Sequence, residues 1–339
     1  MNFVISMDLH RWGYSCLAEN RQPPDGVARQ LLGQGHKFIH VDMDSYFVAV
    51  ELLDAPWLRE RPVAVGGKAT DRGVISTSNY IARRYGVRSG MATATAERLC
   101  PGLVLLPVRF ERYEAVTRRL DVIFRRYTSN VEFLSLDEAT LDVTGQVYCN
   151  GSATYMANRI RASIEQKLHL TASAGVAPLK YLAKMASEVN KPNGQFVIAP
   201  HQVQAFLKNL DIRKIPGVGP KTWAVLQALG CTKCADVTDE MIPALLRHLG
   251  AHGFYVWERC RGQESYEGKP GAVQSLGVEH TLPSDCNDFA CCLRELDELL
   301  GTLAKRLEVL GSAPPIVRNQ VKLKFSDFSI ATAEAPALA

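Results

Sequence analysis

Alternating and helical patterns of hydrophobic residues divide the first part of the chain into short strands and amphipathic helices. Residues 37–44 are an apolar run that ends in two acids, which predicts a buried strand, and Ser45 is a suitable N-cap for the helix that follows. Further strands are predicted at 62–67, 73–78, 131–135, 139–144 and 171–176, and helices at 45–53, 79–85, 112–127, 152–168 and 179–189.

The pattern changes after Pro200 to short helices separated by glycine-containing turns, and this continues to about Gly262. A linker containing Gly and Pro follows, and then a strand at 275–281, a helix at 288–310, a strand at 320–325 and an alanine-rich tail. Mixed strands and helices, then helices, then a βαβ unit predict an α+β protein with at least three compact units.

Composition restricts the possible classes only broadly. A chain of 339 residues with 47% hydrophobic and 22% charged residues is typical of a folded protein and excludes disordered, collagen-like and coiled-coil classes. The net charge of +4 is compatible with a polyanionic partner without requiring one. The sequence shows neither a membrane-spanning run nor a secretory signal, and nine irregularly spaced cysteines indicate reduced thiols. These features together predict a cytoplasmic protein without membrane contact.

Three carboxylates are candidates for a metal site. Asp42 lies at the end of the first buried strand, and Asp137 and Glu138 are adjacent between two predicted strands. Neighbouring side chains of a continuous strand point to opposite faces, so the backbone has to turn there if both acids are to face one point. Clustered acids repel unless cations lie among them, and such oxygen ligands suit Mg²⁺. Each acid by itself is more simply a solvated strand end or a cap.

Five motifs, in order along the chain, resemble those of the Y-family translesion DNA polymerases. They are IHVDMDSYF at 39–47, GVISTSNY at 73–80, SLDEA at 135–139, SAGVA at 173–177 and NKPNGQ at 190–195. The likeness extends from about residue 37 to about residue 329, and the branch that the chain most resembles is bacterial DNA polymerase IV.

The resemblance implies a right-hand polymerase of the α+β class. Its palm would be a mixed sheet with helices at 37–44 and 108–199, its small fingers would lie at 45–107, and its helical thumb, with a helix-hairpin-helix, at 200–265. A linker at 266–273 would lead to a little finger at 274–339. Residues 1–36 would be an N-terminal extension that need not be ordered. Because relatives continue past the position of Phe328, the little finger is predicted to be a truncated βαβ-type unit, incomplete and with an unpaired sheet edge.

The same resemblance assigns catalytic residues. Asp42, Asp137 and Glu138, with the carbonyl of Met43, would hold two Mg²⁺ ions. The triphosphate of the incoming nucleotide would be contacted from the fingers and the palm by Thr77, Tyr80, Arg83 and Lys191. A guanidinium and an ammonium suit an anionic leaving group, although each alone is more simply a solvated surface charge.

Phe47 corresponds to the family's steric gate, a ring that excludes nucleotides carrying a 2′-hydroxyl. The residue pattern alone favours a core aromatic, since Val50 and Leu53 follow at helical spacing. Tyr46 is the competing candidate for the gate. Thr140 departs from the family pattern, in which an aromatic residue often follows the Asp-Glu-Ala sequence.

Two regions are predicted to hold DNA. The segment IPGVGP at 215–220 resembles the turn of a helix-hairpin-helix, in which Gly217 and Gly219 let backbone N–H groups approach a phosphate and Lys221 adds charge. A simple helical hairpin is the alternative. Lys322 and Lys324 alternate on one face of a strand and would grip a phosphate backbone, with a solvated strand face as the alternative.

The predicted function is template-directed, error-prone translesion DNA synthesis in DNA damage tolerance. It would proceed by two-metal transfer of dNTPs to a primer 3′-hydroxyl, without proofreading. The expected partners of this monomeric enzyme are primer-template DNA and dNTPs. A sliding clamp is expected for the family, although no clamp-docking peptide is evident in the final residues. A nucleotidyl cyclase-like palm and a DNA-binding remnant without synthesis are the alternatives, and primer extension distinguishes them.

Overall fold

A computed structural model of the chain describes residues 2–9, 35–265, 275–286, 288–309 and 316–336. The helices among them are α1 (Tyr46–Asp54), α2 (Tyr80–Arg84), α3 (Thr93–Leu99), α4 (Phe110–Phe124), α5 (Ala153–Leu168), α6 (Lys180–Ser187), α7 (Val203–Lys208), α8 (Pro220–Ala228), α9 (Ile242–Leu249), α10 (Ala251–Cys260) and α11 (Phe289–Val309). The strands are β1 (Asn2–Leu9), β2 (Phe38–Met43), β3 (Val63–Gly66), β4 (Ile75–Ser78), β5 (Val104–Leu106), β6 (Val131–Phe133), β7 (Glu138–Asp142), β8 (Ala172–Ala177), β9 (Gln195–Val197), β10 (Ser275–Thr281), β11 (Ile316–Lys324) and β12 (Ile330–Pro336).

The first sheet, with strand order β6-β7-β2-β8-β9, carries the candidate acids. Its central strand β2 pairs antiparallel with both β7 and β8. Because strand residues alternate between faces, Ile39 and Val41 are buried in the core that includes α4 and α5. His40 and Asp42 therefore lie on the opposite face, on which α6 packs.

Helix α6 approaches β8 so closely that the sheet requires a glycine at this point. A Cβ atom added to Gly175 would lie 1.9 Å from the carbonyl oxygen of Ala183 and 2.4 Å from the amide nitrogen of Ser187. This close packing explains why the SAGVA segment has a glycine at position 175. It also holds the lysines of α6 over the strands that bear the acids.

Two further units surround this sheet. A three-stranded sheet, β4-β3-β5, has its own small core, and its strand β3 also contributes Val63 and Val65 to the core of the first sheet. Helices α7 to α10 share a second core with α6. The α+β class and the succession of a mixed-sheet unit, a helical unit and a C-terminal unit confirm the architecture predicted from the sequence.

The C-terminal sheet has the strand order β10-β1-β11-β12, with α11 packed on one face over Val278 and Leu323. Strand β1 comes from the predicted N-terminal extension and lies between β10 and β11, so residues 2–9 are part of this sheet. The alanine-rich tail supplies β12, and β11 is therefore paired on both sides. The small sheet expected from the sequence is thus extended by β1 and β12, neither of which the sequence pattern predicts, and β10 and β12 are the outer strands of the described sheet.

Three other expectations bear on this region and on the chain as a whole. Cys286 and Cys291 are joined by a disulfide, with the sulfur of Cys292 3.7 Å from that of Cys286, which differs from the expectation of reduced thiols. The predicted linker at 266–273 lies outside the described residues. None of the helices in the described ranges combines the length and apolar character needed to cross a membrane.

Candidate active site

Asp42 and Glu138 lie opposite each other on neighbouring strands. They are direct partners in the antiparallel register of β2 and β7, and such partners share one face of a sheet. One ligand atom each of His40, Asp42 and Glu138 lies within 4.8 Å of the others. The sheet thus brings together two acids that are far apart in the sequence.

Asp137 and Met43 adjoin this pair at the strand ends. Asp137 precedes β7 in a bend, and its carbonyl oxygen accepts a hydrogen bond of 2.9 Å from the backbone N–H of Met43. Its carboxylate accepts a hydrogen bond from the Ser135 hydroxyl at 2.5 Å and contributes to the raised pKa of Asp42. Among the described residues, the Asp137 carboxylate is not part of the group formed by His40, Asp42 and Glu138.

Lys191 compensates the charge of Asp42. Its Nζ donates hydrogen bonds to Asp42 at 2.7 Å and to Glu188 at 2.5 Å. Burial nevertheless raises the pKa of Asp42 to about 6, against the lowering effect of Lys191. Burial is therefore the largest influence on the pKa of this carboxyl, ahead of its contact with Lys191.

Glu138 has the opposite electrostatic character. Its carboxylate accepts a hydrogen bond from Lys184 of α6. Contact with His40, followed by the effect of Lys184, lowers the pKa of Glu138 to about 2. Glu138 is therefore ionised across the physiological pH range, whereas Asp42 takes up a proton only as the pH falls through about 6.

His40 is a residue of this site that the sequence reasoning missed. Its side chain is completely buried, with Nδ1 3.0 Å from Oγ1 of Thr140 and Nε2 3.4 Å from Oε2 of Glu138. Burial lowers the pKa of His40, so the ring is neutral and its orientation is set by Thr140. A polar residue two positions before Asp42, and hence on the same strand face, was the signal available in the sequence.

Asp44 was also given no role from the sequence beyond its place in the motif. It is 4% exposed and accepts hydrogen bonds from the Ser173 hydroxyl at 2.9 Å, the Asn193 N–H at 2.8 Å and the Tyr80 hydroxyl at 3.3 Å. These donors come from β8, from the loop after α6 and from α2. Asp44 therefore connects the sheet that holds the acids to the unit that carries Tyr80.

The neighbouring rings Phe47 and Tyr46 have different environments. Tyr46 is 1% exposed, and its hydroxyl donates a hydrogen bond of 2.8 Å to the carbonyl oxygen of Tyr113. Phe47 is half-buried and stacks on the ring of Tyr113 with a centroid distance of 4.2 Å, and Phe110 meets it edge-on. Of the two rings, only Phe47 offers a partly open face.

The other predicted nucleotide contacts lie on the three-stranded unit and on α2. Thr77 is a half-buried residue of β4. The Nε of Arg83 donates a hydrogen bond of 3.0 Å to the carbonyl oxygen of Ser78, and its guanidinium lies 4.8 Å from the ring centroid of Tyr80. Of the predicted contacts, Tyr80 is bonded to Asp44 and Lys191 to Asp42, whereas in the described part of the chain no direct contact links Thr77 or Arg83 to the three acids.

The predicted DNA contacts lie on separate units. Gly217 has a positive φ of 92°, and a Cβ there would come within 3.2 Å of the Tyr255 ring, so a side chain would be doubly strained. Gly219 directly precedes α8, whose first turn carries the exposed Lys221. Lys322 and Lys324 lie on β11 and alternate with Leu323, which packs on the α11 side of the sheet. The two lysines therefore occupy the face away from α11.

The donor set of the acid site fits a hard divalent cation. Asp42 and Glu138 share one sheet face with His40, and a third carboxylate, that of Asp137, stands at the adjoining bend. The two lysines bonded to Asp42 and Glu138 indicate that this face holds a concentration of negative charge that needs compensation. Carboxylate and carbonyl oxygens are the ligands that Mg²⁺ prefers.

Metal affinity should fall as the pH is lowered through about 6. The pKa of Asp42 is raised to about 6, so below that value a cation has to displace a proton from this carboxyl, whereas Glu138, with a pKa of about 2, stays ionised. One displaced proton corresponds to about a tenfold loss of affinity for each pH unit. Titration of Mn²⁺ into the protein by calorimetry between about pH 5 and pH 8 measures this dependence.

The Lys191→Ala variant is the control for this pH dependence. Because Lys191 lowers the pKa of Asp42, its removal should move the midpoint of the dependence to higher pH. Affinity that does not change between about pH 5 and pH 7 would contradict the assignment of Asp42 as a ligand.

Comparison with known proteins agrees with this geometry. Residues 41–188 match the impB/mucB/samB family, residues 201–230 match the helix-hairpin-helix motif of that family, and residues 273–337 match its C-terminal domain. DNA polymerase IV of Pectobacterium atrosepticum is 52% identical over 299 residues, which cover 88% of this chain and 85% of that protein. DNA polymerase IV of Yersinia pestis is 51% identical over the same shares.

Solved structures of polymerases are similar over most of the chain. A Y-family DNA polymerase chimera of Dbh and Dpo4 superposes with a TM-score of 0.79 at 30% identity, covering 89% of this chain and 88% of that one. DinB from Sulfolobus solfataricus superposes with a TM-score of 0.63 at 28% identity, covering 89% and 88%. The family profiles, the relatives at about half identity and the shared fold together show that this chain belongs to the impB/mucB/samB family of Y-family DNA polymerases.

Proposed function

We propose that this chain is a translesion DNA polymerase that adds deoxynucleotides to a primer 3′-hydroxyl under the direction of a template. The observation that carries the proposal is the opposed pair Asp42 and Glu138, joined through Asp44 and Tyr80 to a separate unit that bears Arg83. In this reading the first sheet is the palm, the three-stranded unit is the fingers, the helical unit is the thumb and the C-terminal sheet belongs to the little finger.

Asp42, Asp137, Glu138 and the Met43 carbonyl would hold two Mg²⁺ ions, which activate the attacking hydroxyl and neutralise the leaving pyrophosphate when bound. The family implies dependence on a divalent metal, while the identity and number of the ions are part of the proposal. His40 and Lys184 keep Glu138 ionised and oriented for this purpose.

Cationic side chains would bind the triphosphate. Lys191 is held at Asp42, next to the reacting centre, and Arg83 is anchored by its Nε at the carbonyl oxygen of Ser78. An ammonium and a guanidinium oriented in advance stabilise the charge that develops on the leaving group without a reorganisation cost. Thr77 and Tyr80 would complete the nucleotide contacts from the fingers.

Primer extension by the full chain tests the proposal. A labelled primer should lengthen only when template, dNTPs and a divalent cation are all present, on undamaged templates and on some of a panel of damaged ones. DNA binding without extension would favour the DNA-binding remnant instead. Release of pyrophosphate without primer or template would favour a cyclase-like palm.

Three finer points belong to the same proposal. The enzyme would act as a monomer in the cytoplasm, and a sliding clamp is its proposed processivity partner through the family. Sedimentation of the full chain, with and without a purified bacterial clamp, tests the monomeric state and the clamp contact. A dimer at working concentration, or no co-sedimentation with the clamp, would contradict the respective point.

DNA affinity should depend less steeply on salt when Lys322 and Lys324 are both replaced by alanine. The two side chains lie on the open face of the C-terminal sheet, and removal of each ammonium that binds a phosphate should lower the slope of log K against log salt by about 0.9. Lys305→Ala is the matched control, because Lys305 is an exposed lysine on α11, at the other side of the same sheet. Equal slopes for the double variant and the control would reject this face as a DNA contact.

The Lys221→Ala variant tests the predicted DNA contact of the thumb by the same measurement.

A further inference from the structure

Strand β1 pairs with both of its neighbours, without interruption on the β10 side and with one register shift, between Asp8 and Leu9, on the β11 side. Seven residues of β1 pair with β10, from Asn2 with Thr281 to Asp8 with Ser275, and the pairing with β11 extends from Asn2 with Lys324 to Leu9 with Ile316. Both ladders are antiparallel, so β10 and β11 run parallel to each other on either side of β1. A strand from the start of the chain thus occupies an interior position of the C-terminal sheet.

The alternation of residue types in β1 matches this register. Apolar residues occupy every second position of β1. Three of them are register partners of residues that belong to the core beneath α11. The three pairs are Phe3 with Leu323, Ile5 with Val278 and Met7 with Leu276. A shift of the pairing by one residue would set Ser6, together with Asn2 or Asp8, opposite these core residues instead. The sequence of this segment is therefore suited to this slot in this register.

In the described C-terminal sheet, β10 is connected to β11 and β12 only through β1. Neighbouring strands lie about 4.8 Å apart, so β10 and β11 are separated by about twice that distance and make no ladder with each other. Removal of β1 would leave β10 without a partner and would open the core around Val278 and Leu303. An isolated strand and a two-stranded hairpin are at best marginally stable in water.

We propose that Asn2–Leu9 is a donor strand that the little finger requires in order to fold, and that the slot between β10 and β11 binds an extended segment with apolar residues at alternate positions. The donor is this chain's own segment. The 25 residues at 10–34 that connect it to Gly35 can span up to about 80 Å, which is ample within a molecule of this size. The proposal concerns folding of this sheet and holds or fails independently of catalysis.

Hydrogen exchange of the full chain tests the requirement for β1 without DNA or nucleotide. In Ile5→Pro the ladder is broken at its centre, because proline donates no hydrogen bond. Amide protection in β10 and β11 should fall by at least about tenfold, while protection in β2 and β8 of the palm is unchanged. Ile5→Val is the matched control and should retain full protection. Unchanged protection of β10 and β11 in Ile5→Pro would overturn the proposal.

Complementation in trans provides a test that does not depend on one substitution. A chain lacking residues 2–9 should regain protection of β10 and β11 when a peptide of the sequence NFVISMDL is added. A peptide of the same composition with the apolar and polar positions exchanged should have no effect, because its register would place polar residues on the core face. Equal rescue by both peptides, or rescue by neither, would reject a specific slot.

Cysteine pairs establish the register and the source of the strand. Ser6 and Gln320 are direct partners, so Ser6→Cys with Gln320→Cys should form a disulfide within one chain, mapped by mass spectrometry among the native cysteines. Met7→Cys with Gln320→Cys is the control. Met7 and Gln320 are not register partners, so these two cysteines should not form a disulfide. A disulfide that links two chains would mean that the strand is exchanged between copies and would overturn the intramolecular proposal.

Discussion

Glu138→Gln should abolish primer extension, with a loss of at least about a thousandfold in the rate of single-nucleotide addition. Glu138 is held ionised by His40 and Lys184, with its pKa lowered to about 2, directly opposite Asp42. The amide keeps the size of the side chain but removes the negative charge that a cation needs. A thousandfold effect corresponds to about 4 kcal/mol of transition-state stabilisation, which is reasonable for loss of a metal ligand. Single-turnover insertion of one dNTP at saturating enzyme measures it.

Glu132→Gln is the matched control for this substitution. Glu132 lies on β6 of the same sheet and accepts a hydrogen bond of 2.6 Å from Lys180, another lysine of α6. It therefore has the same residue type, the same kind of partner and a similar location, but it stands outside the group formed with Asp42 and His40. The control should insert nucleotides at the wild-type rate, and DNA affinity should be nearly unchanged in both variants. A Glu138→Gln enzyme with near wild-type turnover would remove Glu138 from the metal site.

Local patterns in the sequence were sufficient to place the acids on strands. The apolar run before Asp42 and the β-prone residues around Asp137 and Glu138 predict strands that end or turn at carboxylates. The structure has β2 at the first position, and β6 and β7 with a bend between them at the second. Neither pattern contains the register, however. That Asp42 is opposite Glu138 depends on which strands pair, and this became an expectation only through the resemblance to a family.

Residues whose role depends on pairing between distant segments could not be found in this way. His40 contacts Thr140 because β2 and β7 align in register, and Asp44 collects donors from three separate segments. The position of β1 is the extreme case, since its partners lie near the other end of the chain. The sequence pattern predicts no strand at residues 2–9, and no local signal there indicates which sheet the segment enters.

Ribonucleotides should be accepted when Phe47 is replaced by alanine. The ring of Phe47 is half-buried, stacks on Tyr113 and is met edge-on by Phe110, so its position is fixed by two other aromatics. A rigid ring at this place would clash with a 2′-hydroxyl on the sugar of the incoming nucleotide, and alanine would remove the clash. Discrimination between dCTP and rCTP should fall by at least about a hundredfold, which corresponds to about 2.7 kcal/mol. The ratio of kcat/KM values for insertion of each nucleotide opposite guanine measures it.

Tyr46→Phe is the control for the hydroxyl of the neighbouring ring. Tyr46 is buried and its hydroxyl is bonded to the carbonyl oxygen of Tyr113, so loss of the hydroxyl should cost about 1 kcal/mol of stability through the missing hydrogen bond and should leave sugar discrimination intact. A Phe47→Leu variant should lie between wild type and Phe47→Ala, because a branched aliphatic chain fills part of the volume of the ring. If Phe47→Ala still excludes rCTP while Tyr46→Ala admits it, the gate is Tyr46.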